Sequence, residues 1–504
     1  MDIRAGDVVE HAVDEKSAEP VGERGPQPRP PGTTATEAPP TLDAAAVEEL
    51  RGQFRGTLIG PDGPTYEVAR RLWNGMVDKR PALIAQPAGA ADVAAALRFA
   101  RRLGLEVAIR GGGHSPAGGS MSEGGLTIDL SLMRGVRVDP QARRAWVQGG
   151  CLWSDVDRET QAYGLATTGG FVSHTGVGGL TLGGGEGQLG RLFGMTVDNL
   201  VSADVVTADG ELLVASEERN ADLFWGLRGC GANLGVATSF EFQLHPVGPT
   251  VLSGDLFFAA DDGMAVLRAF LDFAAEAPDA FSLTAGVGTA TAAPFLPPEV
   301  VGRTIVVVSF AWFGDHDEGL RLVAPLRNAA RPVAEMIGPK AYVELQSASD
   351  EANRHGARYY WKGDFLRDVP DTAIEVLLSR GSSDGRLPLC SGGLLALGGA
   401  VARVPEDAMA YSHRDAAFDF IVSASWEDPA EDEARIGDSR RMYEAMRPFG
   451  GQGVYVNSLS FDDPAARVRE AYGPEKYERL VGLKDRYDPD NVFHLSHNIP
   501  PSGR

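Results

Sequence analysis

The chain has 504 residues, more than one compact core holds, and its 43% hydrophobic and 23% charged residues are an ordinary globular composition, so two domains are expected. A formal net charge of -22 excludes a polyanion such as DNA, or an anionic membrane surface, as the natural partner. Three cysteines, Cys151, Cys230 and Cys390, are too few for a disulfide framework and point to a reducing, cytoplasmic compartment, and no apolar run reaches the roughly 18 residues of a membrane span.

Residues 1–40 mix charge with Pro, Gly and Thr and lack an apolar segment, which predicts a disordered tail and not a secretory signal. Residues 44–54 read as a helix and 81–86 as a strand. From 91 to 103, Val93, Ala96, Leu97, Ala100 and Leu103 fall on one helical face, and Gly104 is placed to cap it. Residues 105–109 return as a strand, so this unit predicts a parallel pair joined by a crossover. Between Gly111 and Gly190 glycine becomes very dense, with short strand-like pieces at 126–130, 135–138 and 144–147, followed by 200–207 and 212–215. Glycine gives up packing and chain entropy. So many in an ordered region imply a backbone pressed against something large, such as a planar ligand with a pyrophosphate.

From about residue 249 the texture changes. Strands are expected at 304–313, 358–365, 394–404 and 417–426, and helices at 317–329, 371–380 and 429–447. Runs without strict alternation suggest helices on one face of an antiparallel sheet. The domain plan is therefore a first domain over 41–248, a substrate-binding α+β domain over 249–454, and a C-terminal segment, 455–504, that returns to the first.

Gly185-Glu-Gly-Gln-Leu-Gly190 matches G-x-G-x-x-G, but Gly194 cuts any following helix short and no βαβ unit surrounds it, which argues against a Rossmann site. Arg110-Gly111-Gly112-Gly113-His114-Ser115 is sharper. A histidine ends a glycine turn directly after a strand, so backbone N–H groups are offered to an anion and the imidazole is held rigidly above it. The nine histidines show no ligand-like spacing with cysteine or carboxylate, so no metal site is expected.

The stretch 109–130, IRGGGHSPAGGSMSEGGLTIDL, resembles the FAD-binding segment of the berberine bridge enzyme-like oxidoreductases, within the vanillyl-alcohol oxidase superfamily. Residues 169–212, 222–242 and the closing YGPEKYERLVGLKDRYDPDNVFHLSHNIPP (472–501) continue the match in collinear order over most of the chain. The resemblance implies an α+β, two-domain PCMH-type FAD-binding fold with an antiparallel-sheet substrate domain covered by helices. It implies FAD bound covalently through His114 to the flavin 8α-methyl. Arg110, Gly111, Gly112, Gly113, Ser115, Gly118, Gly119, Gly170, Thr175, Gly176, Gly178, Gly179, Gly183, Gly184, Gly187, Asn199, Val236 and Asn498 are the further cofactor contacts it implies. Many relatives add a cysteinyl bond, but Val172 occupies that position here, so a single link is expected. Thr175 falls at the gatekeeper position beside the oxygen-facing side of the flavin, where a small residue accompanies oxidase behaviour.

On the substrate side, Tyr455 matches a position facing the flavin and would serve as base if a neighbouring charge lowered its pKa; otherwise it is a packed strand tyrosine. Asn457 and the unusual His497 complete the expected catalytic set. Glu186 replaces a family aromatic and is either a substrate contact or a solvated carboxylate. Tyr359, Tyr360 and Lys362, on a strand of the sheet that covers the flavin in the family, are substrate-pocket candidates.

The expected function is a FAD-dependent oxidase that removes a hydride from a small organic substrate, such as a sugar, an alkaloid-like alcohol or amine or another secondary metabolite, and passes the electrons to O2. A dehydrogenase with another acceptor and a flavin-binding scaffold without turnover are the alternatives.

Overall fold

The computed structural model describes residues 42–451 and 453–503, so the tail expected over 1–40 lies outside it. Helix Ala90–Leu103 buries Val93, Ala96, Leu97 and Ala100 along one face. It is closed by Gly104 at φ 64°, a left-handed conformation that costs other residues about 1–2 kcal/mol. The strands on either side of it, Leu83–Gln86 and Val107–Arg110, are parallel as expected but do not touch. Strand Leu126–Asp129 lies between them, parallel to both and buried along its whole length, as the centre of a parallel sheet requires.

Beside this small sheet, strands Val136–Asp139, Arg144–Gln148, Val236–Gln243, Leu200–Val206 and Leu212–Ser216 form, in that spatial order, a five-stranded antiparallel sheet. Residues of the C-terminal segment complete its core. Val454, Val456, Leu459, Leu480, Leu483 and Ile499 pack with Leu223, Phe240 and Phe242. Buried Lys484 ties the closing segment down: its ammonium pairs with Asp488 at 2.7 Å and donates to the carbonyls of Asn233 and Phe493.

The second part is a seven-stranded antiparallel sheet whose strands all fall between Thr250 and Trp426, with Ser391–Ala396, Phe418–Trp426 and Arg358–Leu366 at one side. Helices Gly263–Glu276, Asp371–Ser379 and Asp432–Met446 cover one face, burying Val266, Phe270, Ile374, Leu377 and Met442 against Leu256, Val306, Phe420 and Val422. This is the expected α+β layer. Three elements differ from expectation. The strand expected over 394–404 ends at Ala396, because Gly398 and Gly399 take positive φ and turn the chain into helix Ala400–Arg403. The helix expected over 317–329 is two, His316–Leu322 and Ala324–Arg327, with Pro325 unable to carry the N–H of a continuing helix. A 3-10 turn, Pro429–Glu431, precedes helix Asp432–Met446. Among the described residues no helix is long and apolar enough to cross a membrane.

Candidate active site

Two glycine segments touch back to back. A Cβ on Gly112 would lie 2.4 Å from the Gly176 nitrogen, and one on Gly176 would lie 2.2 Å from the Gly112 nitrogen. Only glycine at both positions lets the turn 111–115 rest on the start of helix Val177–Gly183. Beside this junction lies a cavity of about 330 Å³. Gly111, Gly112, Gly113, Gly119, Gly149, Gly170, Gly176, Gly178 and Gly179 line one part of it, with Val107, Ile109 and Phe493. Trp73, Phe171, Trp361, Ile421, Glu186 and Tyr455 line the rest, so the cavity is shared between the glycine-rich domain and the seven-stranded sheet. Among the described residues no lysine or arginine lines it.

His114 is in the wall. Its ring stacks on Trp73 at 4.3 Å between centroids, and Trp73 stacks on Tyr359 at 3.9 Å on a different contact. His114 Nε2 lies 2.9 Å from Nδ1 of His174. Burial, then His174 and His355, hold its pKa well below the ordinary range, so the imidazole is neutral. Three histidines distant in sequence, His114, His174 and His355, bring nitrogens within 4.8 Å of one another. The absence of local spacing predicted no such cluster; folding assembles it.

Opposite, Glu186 is buried beside Asp419, in hydrogen-bonding contact, and burial and the mutual repulsion of the two push its carboxyl well above the usual range. Asp419 is pushed up to about 7, chiefly by burial. Tyr455 accepts the Gly185 N–H at 2.9 Å and an Asn457 amide N–H at 2.8 Å. His497 lines the cavity at φ 43°, and burial lowers its pKa to about 4, so it too is neutral.

Against that geometry the comparisons are specific. Residues 81–216 match the family model described as FAD binding domain, and residues 454–500 match the model described as berberine and berberine like. (R)-6-hydroxynicotine oxidase of Paenarthrobacter nicotinovorans is 30% identical over 465 residues, covering 89% of this chain and 98% of the relative. This chain belongs to the berberine bridge enzyme-like FAD-linked oxidoreductases. The solved structure of 6-hydroxy-D-nicotine oxidase from Arthrobacter nicotinovorans superposes with a TM-score of 0.78 at 28% identity, over 89% of this chain and 98% of that one. The xylooligosaccharide oxidase of Myceliophthora thermophila shares the fold, with a TM-score of 0.80 at 23% identity, over 91% and 100%.

As a berberine bridge enzyme-like oxidoreductase, the protein brings His114, Ser115, Thr175, Glu186, Tyr455, Asn457, His497 and most of the expected glycines to one cavity. Other expected contacts lie elsewhere. The Arg110 guanidinium turns to the Ala69 carbonyl and Asp129. Asn199 does not reach the cavity: its amide donates to the carbonyls of Phe193 and Met195, and its oxygen meets His245. Val236 is in the core packed around helix Ala90–Leu103, and Asn498 is outside the cavity lining. Gly118 accommodates Val77. Gly183, Gly184 and Gly187 make room for Asn457, Tyr411 and the Gly169 carbonyl, so these glycines serve close packing within the protein.

Of the three substrate candidates on strand Arg358–Leu366, alternation turns two away from the cavity and side-chain contacts engage the third. Tyr360 and Lys362 face the helices, where Tyr360 donates to Asp462 and the Lys362 ammonium pairs with Asp462 and Asp463 at 3.1 and 2.7 Å. Tyr359 is spent on Trp73 and on the Arg354 carbonyl. Trp361, between them, faces the cavity, and across the sheet the same face carries Ile421 and Asp419. The sequence reading missed Trp361, Ile421 and Asp419; a lone acid within the apolar run Phe418–Trp426 was the available signal. The base role for Tyr455 required a neighbour that lowers its pKa. Its neighbour is the acid Glu186, and burial and that acid both raise it.

Proposed function

We propose that the chain is a FAD-dependent oxidase which holds its cofactor through one covalent bond from His114, removes a hydride from a small organic substrate, and passes the electrons to O2, giving H2O2. The observation that carries this reading is His114: a neutral imidazole in the wall of a glycine-lined groove. FAD fits that groove. The missing Cβ of Gly179 has no atom within 4 Å, leaving room for a flat ring, and the turn 111–115 offers amides to the diphosphate. Bound there, the flavin supplies two-electron chemistry.

The residues around it have separable tasks. With His174 Nδ1 accepting the His114 Nε2–H, the His114 Nδ1 lone pair is free to bond the 8α-methyl carbon. Trp73 fixes the ring plane by stacking. Val172 lines the cavity where many relatives place a second, cysteinyl link, and Cys151, Cys230 and Cys390 are buried outside the lining. Thr175 leaves the wall small, which suits access by O2. Tyr455, held by Gly185 and Asn457, orients substrate.

Acid precipitation with intact-mass measurement tests the attachment. A yellow pellet and one FAD of added mass, both lost in His114→Ala, are expected; a colourless pellet beneath a yellow supernatant would refute the covalent bond. Anaerobic reduction followed by air then tests the acceptor: rapid reoxidation with peroxide is expected, and reduced flavin persisting for minutes would assign the chain to the dehydrogenases.

A further inference from the structure

Among the described residues, Glu186 is the carboxylate in the cavity lining, and no lysine or arginine stands there with it. Glu186 lines the cavity, 8% exposed, and Oε1 of Glu186 has no hydrogen-bond partner in the protein. Behind it lies Asp419, 5% exposed, whose Oδ1 is likewise without one. The groups facing this pair are phenols and acids. Tyr411 and Tyr455 stand beside Glu186, and Asp364 acts on Asp419. The nearby cations are engaged elsewhere: Arg467 pairs with Asp364 and Glu470, Arg414 pairs with Asp198, and buried Arg191, which shares a small second cleft with Glu186, donates to the Leu397 and Ala277 carbonyls. A buried carboxyl pair is normally balanced by a cation or shares a proton. Among the described residues no lysine or arginine forms an ion pair with Glu186 or Asp419.

We propose that the Glu186–Asp419 pair is the recognition and proton-accepting site for a substrate amine, which enters as an ammonium ion among Trp73, Phe171 and Trp361. This deepens the proposed function and rests on it for the redox step. The aromatic walls suit a cation as well as an apolar body. The pair is already arranged to hold one shared proton, and it carries a single negative charge once the pH exceeds the roughly 7 to which Asp419 is pushed. A bound ammonium completes the missing ion pair. In turnover, one N–H bond of the ammonium breaks and its proton passes to the carboxylate, leaving a neutral amine. FAD, when bound there in its oxidised form, would accept the α C–H as a hydride, and the nitrogen lone pair would then form the C=N bond of an iminium ion. Atoms and charge balance, and water hydrolyses the iminium after release.

The test is calorimetric titration of the full chain as purified with N-methylbenzylamine, with benzyl methyl ether as its neutral counterpart and with benzoate, at pH 8. The heat signal does not need flavin, so failure of the cofactor reading shows separately, as absent yellow colour. The amine is expected to bind at least tenfold more tightly than the ether, with no benzoate binding. Glu186→Gln is expected to abolish that preference with pellet flavin content unchanged, and Asp419→Asn to reduce it while keeping the fold, as a second variant should Glu186→Gln fail to fold. Equal affinity for amine and ether in the wild-type chain, preferential benzoate binding, or an undiminished amine preference in both variants would overturn the proposal.

Discussion

Asp157 lies at the contact between the two parts of the molecule, and its burial makes a pH-dependent prediction. It sits on helix Trp153–Gln161, is 3% exposed, and has a Gln346 amide N–H 3.4 Å away on helix Tyr342–Gln346. Burial pushes its carboxyl up to about 7 from 3.8, with the Gln346 contact offsetting only part of that. Because the folded pKa is raised, the folded chain binds the proton more tightly than the unfolded one. The stability this gives is complete below about pH 4 and is lost as pH rises through 7. The difference is about 3 units, worth about 4 kcal/mol at 1.36 kcal/mol per unit. Asp157→Asn keeps the shape and removes the titration. Its advantage over wild type should grow by about 2–3 kcal/mol between pH 5 and pH 8, whatever constant offset the extra amide hydrogens introduce. Denaturant midpoints of the two holoproteins at both pH values measure this. Wild-type and variant profiles that run parallel from pH 5 to pH 8 would show that Asp157 does not titrate as its burial requires.

Other expectations concern different parts of the molecule. Lys362→Met leaves buried Asp463 without its cation, while Arg440 still holds Asp462, so stability should fall by about 3 kcal/mol while substrate KM stays put; a raised KM with unchanged stability would return Lys362 to the pocket. Gly112→Ala forces a Cβ into the Gly176 backbone, and flavin absorbance per chain should drop steeply; full flavin loading would show the turn is more pliant than its contacts imply. Burial pushes the Cys151 and Cys230 thiols up to about 12 and Cys390 to about 11, so a thiol reagent at pH 8 should find none in the folded protein and all three after denaturation.

What could be read in advance was what is contiguous. Arg110–Ser115 carries its chemistry in six successive residues, and strand, turn and histidine follow from that run. The α+β layering followed from the order of apolar runs. The rest is assembled across distance. His114 meets His174 sixty positions away, and Glu186 meets an acid from a different domain. His174 leaves no local trace, and Asp419 shows only as a lone acid in an apolar run. Strand alternation separates Tyr359 and Trp361 from Tyr360 and Lys362, but a run of four bulky residues does not say which pair faces the cavity. Glycine was ambiguous in the same way: the composition says a Cβ is unwelcome, yet at Gly183 and Gly184 the occupant is a side chain of the protein itself.

The seven-stranded sheet has one face held by helices and another that roofs the cavity. Its odd and even positions therefore answer to different selective pressures. Phe420, Val422 and Tyr360 are constrained by a packed core, whereas Trp361, Asp419 and Ile421 belong to the opposite side of the same strands. Exchanging a roof residue redraws the pocket without disturbing helix packing or the glycine groove. A scaffold organised in this way accumulates new substrate preferences one strand position at a time, and laboratory evolution of this chain should begin with saturation of residues 361, 419 and 421.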